Sequence, residues 1–274
     1  MNGTVRCVAF VDLDDTLFSS ARKQPAADGL VPAALLRTGD VVSYSNPAQR
    51  GLRHMLECAA EVIPVTARNV DGYRRVLLRF DGRAVVSYGA TILLPDGRVD
   101  GEWAQRVAPH LAHARADLES LLRLVATTYD PERTGLHVRL VSDASDPAYL
   151  VVKHGNDEAM VQQAGLELIG RWVEQHAGFK LHINGNNLAV IPPGLGKEVA
   201  VAYLIERERQ AHGALFTVGA GDSLTDLDFM RLCDVAIVPG RSQLADALLG
   251  ATRHAATERR ERQRQSICVG QSGN

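Results

Sequence analysis

Asp12, Asp14 and Thr16 follow directly on an apolar run that ends at Val11, in VAFVDLDDTLF. Such a run, rich in Val and Phe and halted by acids, reads as a buried strand. In an open α/β sheet ligands bind outside the carboxyl ends of the strands, so acids placed there point to a site. A solvated turn or a helix cap accounts for Asp15 and Thr16. It accounts poorly for three acids crowded at one strand end, whose repulsion is costly without a cation. A second group, Asp222, Asp226 and Asp228, follows another apolar run in TVGAGDSLTDLDFM, where Gly219 and Gly221 would permit a tight turn. Two strand ends that both present carboxylates can share one hard cation. Magnesium suits this, since it takes few carboxylates and leaves its other positions to water or phosphate. The simpler account of Asp226 or Asp228 is an acid favoured by the dipole of a helix starting near Asp222.

Two further residues complete a constellation. Thr66 ends the strand-like EVIPVT, where its hydroxyl and the first helical N–H groups would hold phosphate oxygens. Lys197, in PPGLGKEVA, starts a helix and would neutralise both phosphate and acids. Taken singly, the first is an ordinary cap and the second an ordinary solvated lysine. GLGKE is not the end of a nucleotide-binding P-loop. Glu198 stands where Ser or Thr is needed, and Ile191 stands where the upstream glycine is needed.

The elements that must position these groups alternate in kind. Val5–Val11, Val62–Val65, Ala84–Val86, Leu215–Val218 and Val235–Val238 read as buried strands. Pro47–Ala60 (with Asn46 as N-cap), Val70–Phe80, Lys197–His212 and Leu224–Leu232 read as helices. That alternation predicts an α/β fold, a Rossmann-like parallel sheet covered on both faces. The middle of the chain differs: a long helix over Glu102–Thr127, strands Leu136–Val141 and Tyr149–His154, a helix over Asp157–His176, then the hairpin FKLHI–NGNN–LAVI. This predicts an α+β module inserted from about Tyr88 to about His182, giving a core of residues 1–87 and 183–250 and a cap of 88–182. RTGDVVSYS, within Leu30–Asn46, reads as a small β-flap. Residues 251–274, with ERRERQRQ, read as a charged tail without fixed structure.

Composition excludes several classes. With 274 residues, 46% hydrophobic and 23% charged, the chain can bury a sizeable core. A net charge of −2 gives no field that would draw nucleic acid or an acidic membrane. The N-terminal apolar run is too short for a signal peptide or a membrane span. Cys7, Cys58, Cys233 and Cys268 lie far apart with no CxxC pair, so the expectation is free thiols in a reducing cytoplasm and no zinc site.

Together the four pieces resemble the motifs of the haloacid-dehalogenase-like phosphatase superfamily. Asp12-Leu13-Asp14-Asp15-Thr16 is similar to its first motif, D-x-D-x-T, Thr66 to its second, Lys197 to its third, and Gly221-Asp222-Ser223-Leu224-Thr225-Asp226 to its acidic fourth. The insert falls between the second and third, where type-two capped members carry their lid. Its order of elements resembles the sucrose-phosphate, trehalose-phosphate and phosphomannomutase branch. Two positions depart from the pattern: Asp15, where Gly is frequent, and Thr225, where Asn is common.

The resemblance implies a magnesium-dependent phosphomonoester hydrolase with Asp12 as nucleophile, Asp14 as general acid and base, and Thr66 and Lys197 on the phosphoryl oxygens. It implies magnesium on Asp12, Asp14 (through its carbonyl) and Asp222, with Asp226 orienting a bound water or Lys197. Arg68 is placed to reach the phosphate or a neighbouring polar group. In the cap, Lys180, His182 and Asn184 would share one sheet face, and His137 and Arg139 another strand's. A polar face suits a hydroxyl-rich leaving group, so the expected substrate is a small phosphorylated metabolite, a sugar phosphate. The same face would equally well meet solvent. The alternatives are a phosphosugar mutase, marked by no release of free phosphate, and a non-catalytic phospholigand-binding module. A dehalogenase has no use for Asp14 or an acidic metal cluster. Oligomeric state is open.

Overall fold

The computed structural model describes residues 5–24, 28–155 and 157–248. Four parallel strands form the central sheet, in spatial order Val235–Ile237, Leu215–Ala220, Arg6–Val11 and Glu61–Pro64. Along Arg6–Val11 the pleat sends alternate residues to opposite faces. Val8 and Phe10 pack with Ala200, Val201 and Leu204 of the helix Lys197–His212. Ala9 and Val11 pack with Leu56 of the helix Pro47–Ala59 on the other side. That helix starts where expected: Asn46 accepts from the Gln49 N–H at 3.0 Å, and the Gln49 side chain accepts from the Asn46 N–H at 3.1 Å, with Pro47 next in line.

The inserted module is a four-stranded antiparallel sheet, in order Lys180–Asn184, Asn187–Ile191, Tyr149–His154 and Leu136–Val141. One face, including Leu150, Val152, Leu188 and Val190, packs on Leu118, Leu121 and Val125 of the long helix Gly101–Thr128 and on Trp172. Asp100 caps that helix by accepting from the Glu102 and Trp103 N–H groups. The hairpin belongs to this sheet, which therefore continues to Ile191, and the expected boundary near His182 falls inside a strand. A flap of three short antiparallel strands, Ser19–Ser20, Val41–Ser45 and Val31–Leu35, covers part of the core.

Several expected elements differ. The helix read over Val70–Phe80 ends at Arg74, because the chain then bridges to the flap: the Leu77 N–H donates to Ala33 O at 2.8 Å, and Val76 pairs with Ala34. Ala84–Val86 pairs antiparallel with Thr91–Leu93 and meets the central strands through one parallel bridge, Val65 to Val85. Val235–Ile237 is an edge strand, so Val235 is exposed rather than buried. The helix read over Leu224–Leu232 is one turn, Leu227–Met230. The helix read over Asp157–His176 starts at Glu158 and holds a π-helical stretch, Gly165–Ile169. The tail 251–274 and Cys268 lie outside the described residues; Cys7, Cys58 and Cys233 are free thiols. No described helix is long and apolar enough to cross a membrane.

Candidate active site

Val11 and Ala220 are partners at the ends of the two inner strands, and the Asp12 N–H continues the ladder to Ala220 O at 2.8 Å. The two acidic segments therefore leave the sheet side by side. Asp12, Asp222 and Asp226 are all buried, and one carboxylate oxygen from each lies within 4.8 Å of the others. Lys197 enters from the start of its helix, its side chain only 5% exposed. Its ammonium donates to Asp12 Oδ1 and to Asp226 Oδ1, both at 2.6 Å. Asp226 also accepts from the Ser223 N–H at 3.0 Å and from the Ser223 hydroxyl at 2.6 Å. Thr16 donates to Asp222 Oδ1 at 3.3 Å.

Three buried carboxylates face one ammonium, and the electrostatics record the imbalance. Burial pushes Asp12 well above the usual carboxylate range, with Asp226 and Asp222 adding to it and Lys197 opposing. Burial and the charges of Asp226 and Asp15 push Asp222 up to about 7. Asp226 goes the other way: burial raises it, but the Lys197 ammonium and the two Ser223 donors outweigh that. Lys197 is itself raised by Asp12 and Asp226 against a large burial penalty. A cluster short of positive charge, built from hard oxygen donors around Asp12 and Asp222, fits a small divalent cation.

The backbone explains both departures from the motifs. Asp15 lies in the left-handed region at φ 66°, where Gly costs nothing and Asp is among the tolerated residues, and Lys23 pairs with its carboxylate at 2.5 Å. Thr225 uses its hydroxyl to bond Ser223 at 2.8 Å, next to the Asp226 contact. Gly219 lies inside the strand Leu215–Ala220 and Gly221 just past its end, and neither takes a positive φ. A Cβ on Gly221 would stand 2.4 Å from Asp226 Cβ, so the glycine is needed for close approach.

Thr66 sits buried at its strand end, its hydroxyl accepting from the Arg68 N–H at 3.1 Å. Two of the helical N–H groups expected beside it are taken by side chains. The helix starts four residues later, at Val70, and Asp143 and Asn69 take the Val70 and Gly72 N–H groups. Arg68 does not point at an open phosphate site. It grips Asp14 with two bonds of 2.7 Å and lies 5.1 Å over the Phe18 ring. Asp14 is half-exposed and stands apart from the buried trio.

In the cap, Lys180 is tied to Glu198 at the foot of the Lys197 helix. His182 reaches the site's edge, 5.8 Å from the Tyr88 ring; burial and Lys197 push its imidazole down to about 4, so it is neutral near pH 7. Sequence reading missed Tyr88 and Ser223. Tyr88 packs edge-on against Tyr149 at 5.1 Å, and no pattern around it marks it. Ser223 was visible only as a position within the acidic fourth motif, with no role given to its hydroxyl.

No family model matches the chain, and no curated protein matches it in sequence. Solved structures do. The C-terminal domain of trehalose-6-phosphate phosphatase from C. albicans aligns at a TM-score of 0.54 and 12% identity, over 82% of this chain and 73% of that one. The sucrose-phosphatase of Synechocystis, solved with sucrose and phosphate, aligns at 0.52 and 15%, over 91% of this chain and 98% of that one. At such identity the likeness is one of fold. The chain has the fold of these two phosphatases, a Rossmann-like parallel-sheet core with an inserted α+β cap.

Proposed function

We propose that the chain is a magnesium-dependent phosphomonoester hydrolase that works through an aspartyl-phosphate on a small phosphorylated metabolite. The observation that carries this reading is the buried trio with Lys197 between Asp12 and Asp226 and Asp222 in reach, at adjacent strand ends. A trehalose-6-phosphate phosphatase and a sucrose-phosphatase share the fold, which supports a sugar-like leaving group.

In this reading an Asp12 oxygen attacks phosphorus, and the bond from phosphorus to the ester oxygen breaks on the opposite side. The leaving oxygen keeps the electron pair and takes a proton from Asp14. Water then attacks the aspartyl-phosphate, gives its proton to Asp14, and inorganic phosphate leaves with Asp12 restored. Asp14 can serve only when Arg68 loosens its two-point grip, so Arg68 orients the acid and the bound substrate must displace it. Lys197 opposes the burial that raises Asp12 and would meet the phosphoryl oxygens from the same side, with the Thr66 hydroxyl beside them. Asp12, the Asp14 carbonyl and Asp222 would hold magnesium, which lowers the repulsion between an anionic nucleophile and an anionic phosphate.

Phosphate release from p-nitrophenyl phosphate, with magnesium and with chelator, tests this directly. The protein should turn over only with magnesium. Asp12→Asn should lose on the order of a thousandfold or more in kcat while keeping its circular dichroism. Turnover by Asp12→Asn within a few fold of the parent would sink the assignment.

A further inference from the structure

The cap-sheet face opposite its helices carries cations that no described residue pairs. Antiparallel register sets His137 opposite Lys153, Lys153 opposite Asn187, and Asn187 opposite Asn184. Directly opposed residues share a face, so these four make one polar row across the sheet. The next row is Arg139, Val151, Ala189 and His182. Val151 and Ala189 are buried in the same cluster as Val8 and Phe10, so this face is the one turned to the core domain. The row also lies within electrostatic reach of the site. Burial, Arg139 and Arg68 lower the Lys153 ammonium, and Asp14 opposes them. At the far end of the row Asn184 lines a cavity of about 550 Å³ shared with Asp15, Lys23, Asp222 and Arg241.

The charges there do not balance. Among the described residues, Lys153 and Arg139 make no hydrogen bond or ion pair with the protein. The acids nearby are committed: Asp14 to Arg68, and Asp143 to the Val70 N–H, the Ser87 hydroxyl and the Thr91 hydroxyl. His137, Arg139 and Lys153 are exposed on the face turned to the core domain, beside Arg68, so their charges are open to a ligand that enters between cap and core.

Resting on the phosphatase reading, we propose that Lys153 and Arg139, flanked by His137 and Asn187, form a second anion subsite for the leaving group. The preferred substrates are then phosphomonoesters whose alcohol carries its own negative group, a carboxylate or a second phosphate. Arg139 offers a planar fork and Lys153 a point charge, a pair that suits either oxyanion.

Three esters with one phosphate position in common separate the cases: glucose 6-phosphate, 6-phosphogluconate and glucose 1,6-bisphosphate. Binding is measured by calorimetry on Asp12→Asn with magnesium, so that no ester is consumed. At least one charged ester should bind about tenfold or more tighter than glucose 6-phosphate, and which one it is names the anion. In Asp12→Asn carrying Arg139→Gln and Lys153→Gln as well, that gap should close toward unity. Equal affinities for the three esters would overturn the subsite, as would a gap that survives in the folded triple variant. A gap without phosphate release from any ester by the parent protein would leave the subsite standing and sink the phosphatase reading. Release with equal affinities would do the reverse.

Discussion

At the scale of single residues the site rests on types that sequence order displayed, held in contacts that it did not. Asp12, Asp222 and Asp226 are separated by up to 214 positions, and the pairing of two strands brings their carboxylates within 4.8 Å of one another, while Lys197 comes from a helix to 2.6 Å from two of them. They could be singled out because acids at a strand end are costly without a counter-charge. Arg68 was read as reaching the phosphate or a neighbouring polar group, and the structure gives it the second, Asp14, whose identity as partner the sequence did not mark. Asp15 makes the sharpest residue-scale prediction. Its φ of 66° suits glycine, which would remove a strain of about 1 kcal/mol at the cost of an exposed Lys23 pair worth about the same or less. Asp15→Gly should therefore leave the urea midpoint unchanged or raise it slightly. A loss of 2 kcal/mol or more, on the order of a lost buried contact, would mean that the Asp15 carboxylate itself stabilises the site loop.

Regular elements were the most legible level wherever local preference and tertiary packing agree. Leu136–Val141, Tyr149–His154 and Lys197–His212 fall where periodicity placed them. The Val70 helix failed because its second half finds a better use, bridging to the flap, and propensity carries no information about that partner. The irregular link Ser87–Gly89 was invisible for a different reason. Ser87 and Tyr88 both take φ 54° and Gly89 takes 89°, and Ser and Tyr do not advertise a left-handed backbone. This link carries Tyr88 to the site and seats the cap on the core. A Cβ on Gly89 would stand 2.1 Å from Gly196 O, just before Lys197, and Gly89 O accepts from the Trp103 indole at 3.0 Å. Gly89→Ala thus adds both strain and a backbone clash beside the lysine. It should lower stability by about 3 kcal/mol or more and cut turnover with it, read as a shifted thermal midpoint and a lower kcat. A variant as stable and active as the parent would show that the link is not a fixed seat.

Across the whole molecule, the cap is joined to the core rather than hung from it. The long helix Gly101–Thr128 places Trp103, Val107 and Leu111 in one hydrophobic cluster with Val8 and Phe10, and Ala114, Leu118, Leu121 and Val125 in the cap's own cluster. Val141, Tyr149, Val151, Ala189 and Ile191 of the cap sheet share the first cluster, so that end of the sheet is an apolar joint. The polar row lies at the other end of that face. Asp143 latches the joint from the turn after Leu136–Val141: its carboxylate accepts from the Val70 N–H at 3.1 Å, the Thr91 hydroxyl at 3.1 Å and the Ser87 hydroxyl. Removing it leaves three donors at the seam without an acceptor. Asp143→Ala should cost about 1–3 kcal/mol of stability, since unpaired polar groups at a half-buried seam lose both the bond and their water. Because it loosens the cap without touching the buried acids, KM should rise several fold while kcat on p-nitrophenyl phosphate, which needs little of the cap, changes less. A fall in kcat with KM unchanged would place Asp143 in the chemistry instead, and would show that the cap's seating reaches the acids through Ser87.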